Sequence, residues 1–466
     1  MRRQLLFLVV LLTLLSGTSL VFTSSASAKT TVSSACILPN QTNVMKGTIQ
    51  GANYLISVPA NWNGTLVLYS HGYVFTGRPL VPQDAGDPLT EAALLQQGYA
   101  LAGSSYSQNG WALQQAFHDQ VALLSFFDST CGHPSRTIAW GHSLGGIITA
   151  GLVQLHPELF DGALPMCGVV AGGVGTWNQA LDGTFAFDVL LAGNSLSPVN
   201  INNPQGAYNQ AIKILQTAQQ TPQGRARIAL AASLSDVPGW FTTGSPEPGK
   251  KDYTSQEQNQ FLWEDQIDFL FAYFGRAELE LRAGGNPSWN TGVDYRVQLE
   301  KSASSSEVVA LYKQAGLSLN QDLKTLNATP RIKANSDAVD YLSKYIAFNG
   351  DLDIPVLTMH TTGDGLVAVQ DEQSYASVVR KNGDAPLLRQ TFVHRAGHCA
   401  FTPAETLAAF QTLINRINTG KWEDSTNPSL MNQEADALGS TLNPAPAAFI
   451  TYMPSEFLRP YTARDQ

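Results

Sequence analysis

The 466-residue chain is 44% hydrophobic and 14% charged, with a formal net charge of −9. That composition allows a sizeable core, and its lysines and arginines are scattered, which argues against a nucleic-acid or anionic-membrane surface. The expected partner is a small or neutral molecule.

At the N-terminus Arg2 and Arg3 precede the apolar run Leu5 to Leu15, and the small residues Ala26-Ser27-Ala28 follow. This is the pattern of a secretory signal peptide, residues 1–28, whose arginine pair is read as an ordinary basic n-region rather than a twin-arginine signal. Cutting after Ala28 leaves 438 of the 466 residues, and losing the two arginines takes the charge from −9 to −11. No later stretch has the roughly 18 consecutive apolar residues of a membrane span. Cys36, Cys131, Cys167 and Cys399 all remain, without CxxC or Cys/His metal spacing. An even count in an exported chain points to disulfides, in one of three connectivities. A lipid anchor on Cys36 is disfavoured by its distance from the apolar run and by Ser33 where such a signal has leucine.

From Met45 strand and helix patterns alternate. "GTIQGANYLISVP" reads as a hairpin or bent strand, "GTLVLYSHG" as a buried strand, "LTEAALLQQG" as a helix and "YALAGSSY" as a strand. There follow the helix "ALQQAFHDQVALLSFFDSTC", the strand "RTIAWGHS", the helix "LGGIITAGLVQLHPELF" and the strand "DGALPMCGVV". This alternation implies a mostly parallel sheet with helices on both faces. The glycine-rich "VAGGVGT" closes the series. From 172 to 349 amphipathic helices dominate, among them "GAYNQAIKILQTAQQ", "GRARIALAASL", "QEQNQFLWEDQIDFLFAYFGRAELELRAGG", "SSEVVALYKQAG" and "SDAVDYLSKYIAFNG". Strands return with "DIPVLTMHTTGD" and "LLRQTFVHRAGH", each followed by a helix. The expected organisation is therefore an α/β core of residues 29–171 and 350–466, carrying a helical insertion of domain size. The tail beyond Gly420 shows no clear element before "AAFITYMP".

The strand-to-helix junction "TIAWGHSLGG" places Ser143 between Gly141 and Gly145, the Gly-x-Ser-x-Gly arrangement in which glycines permit a cramped turn that exposes a nucleophile. A serine hydroxyl needs a base, an acid that orients the base, and donors for the oxyanion. His398 closes the last long strand ahead of a helix starting near Thr402-Pro403, and is the expected base. His142, beside the serine, points elsewhere; His394 lies in or at the end of the strand, and His118, His133 and His156 read as helix or helix-end residues. Asp364, in the Gly-Asp-Gly loop after "PVLTMHTT", is the expected acid; Asp351 and Asp353 precede that strand and would sit at its other end. Oxyanion donors are expected from the amides of Leu144, directly after the serine, and Tyr73, after "LYSHG".

The stretches "SHGY", "GHSLGG", "TTGDGLV" and "RAGHCAF", in that order, resemble the α/β-hydrolase superfamily over about Met45–Ala171 and Asp351–Gly420. The resemblance implies an eight-stranded, mostly parallel sheet with the insertion as a cap over the site. "YSHGY", "GYALAGSSY" and "GALPMCGVVAGG" are further similar to secreted bacterial esterases and phthalyl amidase-like hydrolases. Cys399 after the expected base resembles the tannase and feruloyl esterase group, in which a disulfide ties that position to a cysteine just before the nucleophile. Here His142 stands there, so that group's substrate class does not carry over, and a Cys167–Cys399 pair with Cys36–Cys131 becomes one candidate connectivity.

The expected activity is cleavage of carboxylic esters, with an amidase or capped aminopeptidase on the same residues as the alternative, and a non-catalytic binding protein as the third reading. No metal or organic cofactor is implied. Most insertion aromatics, such as Trp177, Phe269 and Phe271, are expected in its core, with a few facing the cleft. Asp119, Asp188, Glu264, Asp265 and Asp268 are expected to be solvated or paired.

Overall fold

The computed structural model describes residues 36–461, so the expected signal peptide lies outside the described residues. Strands β1 (Asn43–Ile49) and β2 (Ala52–Val58) form an antiparallel hairpin around Gln50 and Gly51, both at positive φ, as tight hairpin turns require. β1 alternates half-buried and exposed residues, the mark of an edge strand with one wet face. The interior strands are β3 (Thr65–Ser70), β4 (Ala100–Ser104), β5 (Arg136–His142), β6 (Gly162–Met166), β7 (Val356–Gly363) and β8 (Leu388–Ala396). Every residue of β3, β4 and β6 is buried, because helices cover both faces.

The sheet order is β1-β2-β4-β3-β5-β6-β7-β8, closed by β9 (Phe449–Ile450), and all pairings between β3 and β8 are parallel. This is the α/β-hydrolase sheet. It has nine strands instead of the expected eight, because the C-terminal tail adds β9 antiparallel to β8. Two residues carry no periodicity to read; β9 is set instead by the Asn432 side chain, which bonds both backbone groups of Phe449 at 2.9 and 2.8 Å.

Helix α1 (Pro88–Gln96) and the helices Pro403–Thr419 and Pro428–Ala437 cover one face, around Trp140, Leu164, Phe410 and Leu413. α2 (Leu113–Cys131), α3 (Leu144–Leu155) and the helix Gln370–Asn382 cover the other, around Leu68, Phe127, Ile148 and Val379. Pro403 occupies the first turn of its helix as expected, and Thr402 and Glu405 cap each other's backbone amides there. α3 ends at Leu155, earlier than its sequence pattern suggests, because the residue before Pro157 is barred from helical geometry; a short 3-10 turn follows.

Between β6 and β7 the described residues form helices and no strand. The first, α4 (Gly172–Phe187), begins inside the glycine-rich stretch that reads as a boundary. Glycine is a poor helix former, so packing decides here: a Cβ on Gly173 would lie 3.2 Å from both Leu342 and Trp111. This helical segment has its own core, including Phe185, Phe187, Tyr295, Tyr312 and Leu326. Disulfides join Cys36 to Cys131 and Cys167 to Cys399. No described helix is long and apolar enough to cross a membrane.

Candidate active site

Ser143 stands between β5 and α3 at φ 57° and ψ −121°, a backbone region that L-residues avoid. Its amide donates to the Met166 carbonyl at 3.0 Å, which ties the turn to β6. Gly145 is required by close approach, since a Cβ there would overlap the Ser70 carbonyl at the end of β3. Gly141 faces the same carbonyl.

Three loops at the carboxyl ends of β5, β7 and β8 meet at this point. His398 Nε2 lies 2.8 Å from Ser143 Oγ, and His398 Nδ1 lies 2.7 Å from Asp364 Oδ2. The other Asp364 oxygen accepts the amides of Leu366 and Val367 at 3.1 and 3.0 Å. Burial would raise the Asp364 pKa, but the His398 charge and hydrogen bonds from His360 and His398 hold it below the usual carboxylate range. The His398 loop is fixed in turn. Gly397 donates its amide to the Gly363 carbonyl at 3.0 Å, and Arg395 forks onto Glu405 in a buried pair.

Leu144 heads α3, where first-turn amides have no intrahelical acceptor. Gly72 lies against the serine: a Cβ on it would come within 3.4 Å of Ser143 Cβ, which brings the Tyr73 segment to the same side. The turn after β3 is held by the His71 ring, which donates its Nδ1–H to the Gly72 carbonyl at 2.7 Å and stacks on Tyr106 at 4.1 Å.

The remaining histidines are engaged elsewhere. His142 Nδ1 meets the Tyr69 hydroxyl at 3.1 Å, and burial lowers its pKa to about 4. His394 is exposed beside Thr362 and Glu247. Asp351 and Asp353 are exposed ahead of β7, away from the serine. The cluster Cys167, His398 and Cys399 has metal-ligand spacing, but its two sulfurs are joined as a disulfide and offer no thiolate.

A cavity of about 110 Å³ opens over Ser143, bounded by Leu144 and Tyr73 below and by Trp177, Phe269 and Phe271 above. Its size suits a small acyl or aryl group.

Residues 43–392 match the tannase-like family of unknown function (DUF6351), three quarters of the chain. The chain belongs to this family. An o-phthalyl amidase from Xanthobacter agilis is 30% identical over 425 residues, covering 83% of this chain and 89% of that protein. Among solved structures, feruloyl esterase B from Aspergillus oryzae is similar over 81% of each chain, with 13% identity and a TM-score of 0.40. A second Aspergillus oryzae esterase covers 81% of this chain and 79% of its own, at 13% identity and a TM-score of 0.38. In this tannase-like protein the half-cystine beside His398 pairs with Cys167 at the end of β6, and His142 keeps the position before Ser143.

Two groups escaped the sequence reading. His360, wholly buried on β7, stands behind Asp364, with Nε2 3.0 Å from the Val367 carbonyl and 3.5 Å from Asp364 Oδ2, and Nδ1 3.2 Å from Glu372 Oε1. Both ring nitrogens face acceptors only, so both carry protons. Burial alone would lower its pKa; the Asp364 and Glu372 carboxylates raise it to about 10. The stability this imidazolium contributes is complete below about pH 6.5 and is lost as pH rises through about 10. Urea unfolding at pH 7 and pH 10 should therefore show a large gap between wild type and His360→Gln at pH 7 and a smaller one at pH 10. An equal gap at both values would mean that the ring is neutral.

The second group corrects an expectation. Asp119 and Asp188 are paired as expected, accepting the amides of Ser107 and Leu196, and Asp265 accepts from Gln216. Glu264 and Asp268 are not paired, and neither faces open solvent. Glu264 is 5% exposed, and among the described residues its carboxylate makes no hydrogen bond or ion pair; both Asp268 carboxylate oxygens are inaccessible and unpartnered. They sit on a π-helical turn, Glu264–Asp268, whose wider winding breaks the 3.6-residue period from which the sequence pattern infers the solvent face.

Proposed function

We propose that the protein is an exported serine hydrolase that cleaves carboxylic esters, with Ser143 as nucleophile, His398 as base, Asp364 as the orienting acid and the Leu144 and Tyr73 amides as oxyanion donors. The observation that carries this reading is the hydrogen-bonded chain from Ser143 through His398 to Asp364 at the floor of a cavity. Ser143 Oγ attacks the carbonyl carbon as its proton passes to His398 Nε2, and the oxyanion settles against the two amides. His398 then protonates the departing alcohol. In the second half His398 takes a proton from water, the hydroxide attacks the acyl-serine, and the acid leaves as Ser143 regains its proton. The helical segment 172–349 acts as the cap that closes the cavity and excludes bulk water. Two disulfides support export, since such bonds persist in oxidising compartments.

The second reading, an amidase, rests on the 30% identity to the o-phthalyl amidase. A fluorophosphonate probe should label Ser143 in the folded protein, and an ester should exceed its matched amide at least about tenfold in kcat/KM, a difference of about 1.4 kcal/mol. Failure of the serine to react would overturn the hydrolase reading. Preference for the amide would replace esterase with amidase.

A further inference from the structure

Burying a carboxylate without a partner is costly, and proteins almost always compensate one with a cation or hydrogen-bond donors. The cavity over Ser143 contains two that are not compensated. Glu264 and Asp268 line it one helical turn apart, and no Lys, Arg or His side chain is among its lining residues. Burial raises Glu264 to about 8. Burial first, and then repulsion from Glu264 and Asp364, raises Asp268 well above the ordinary range, so the pair lies within electrostatic reach of the orienting acid.

The surrounding wall is mostly apolar or aromatic, with Val237, Phe269, Ala272 and Leu366 among its residues, and its polar side chains, Thr176, Gln179, Thr184 and Ser235, carry no charge. Apolar walls intensify any charge interaction made inside them. The segment that carries the acids winds as two π-helical turns, Glu264–Asp268 and Phe271–Gly275, an arrangement that is costly in itself and concentrates at binding sites. A merely structural acid would be turned toward water or an arginine.

We propose that Glu264 and Asp268 form a subsite for a basic nitrogen of the substrate, so that the preferred substrates are small esters or amides whose cavity-bound part carries a primary or secondary amine. This rests on the hydrolase reading for the reaction and on the cavity alone for the binding. An ammonium group donates to the Glu264 carboxylate, and the Asp268 carboxylate beneath the cavity surface adds its charge to the same field. The limited volume places that nitrogen only a few bonds from the scissile carbonyl.

Binding is read without turnover. In calorimetric titrations of the full protein, n-butylamine should bind, while n-butanol and butyrate should bind at least tenfold more weakly. Glu264→Gln, Asp268→Asn and the double variant should each weaken the amine at least tenfold; should the double variant fail to fold, the single variants carry the test. Equal binding of amine and alcohol would overturn the proposal, as would preference for butyrate, the result expected if the two acids stay protonated and donate to a carboxylate. Turnover gives a separate reading: the ratio of kcat/KM for the 4-nitrophenyl esters of β-alanine and its N-acetyl twin should exceed ten in the wild type and collapse toward one in the variants. Failure of Ser143 labelling with amine binding intact would remove the hydrolase reading and leave the subsite. Labelled Ser143 with no amine preference would remove the subsite and leave the hydrolase.

Discussion

Ser143→Ala is expected to lower kcat by a factor on the order of 10⁶, with the fold retained. His398→Ala should cost a similar factor, and the double variant little more, because the two groups act on one proton and their losses do not add. Asp364→Asn should cost about 10⁴, since an amide in that position holds the imidazole in the wrong tautomer. Steady-state kinetics on a small aryl ester checks all three; losses below about a hundredfold for Ser143→Ala would place the chemistry elsewhere. Stability provides an independent check. The φ of 57° at Ser143 stores strain that glycine would not feel, on the order of 1–3 kcal/mol. Ser143→Gly should therefore resist urea better than Ser143→Ala although both are inactive.

Arg459→Ala should destabilise the protein by about 3 kcal/mol, the order expected when one partner of a largely buried ion pair is removed. Arg459 lies in the C-terminal tail and reaches across to α4, pairing with Asp182 at 2.6 Å and donating to the Trp289 and Asn178 carbonyls. Asp182 is 1% exposed, and its remaining partner is the Tyr295 hydroxyl at 3.1 Å. Burial already raises its pKa to about 6 against the pull of Arg459. Without the arginine it rises further, so the unfolded state, with its ordinary carboxyl, gains stability relative to the folded one as pH climbs. The deficit should be larger at pH 8 than at pH 5, measurable as the difference in urea midpoints. Arg459→Lys should recover only part of it, because the guanidinium fork meets three acceptors at once. A pH-independent deficit would show that Arg459 acts through packing alone.

How much of this was legible beforehand follows from the range of the forces involved. Buried parallel strands such as β3 and β5 read as short apolar runs bounded by turns, and Gly141 and Gly145 marked the tight junction at Ser143. Asp364 and His398 could be chosen over Asp351, Asp353 and His394 because position relative to a strand end is a local property. Helix α4 was not legible, since its glycines argue against a helix until Trp111 and Leu342 are seen packed upon it. His360 read as one more strand residue, and nothing local distinguishes a histidine behind an acid from one facing a helix.

The sequence by itself determined the parallel sheet, the order of Ser143, Asp364 and His398 along it, and the interruption by a helical segment, because each is written in periodicity, turn chemistry and chain order. The tertiary structure alone decided which cysteines join, that the tail adds a ninth strand and pins α4 through Arg459, and that Glu264 and Asp268 face a cavity with no partner. The physical reason is that pairing and desolvation depend on what packs against a group, and its packing partners come from distant parts of the chain.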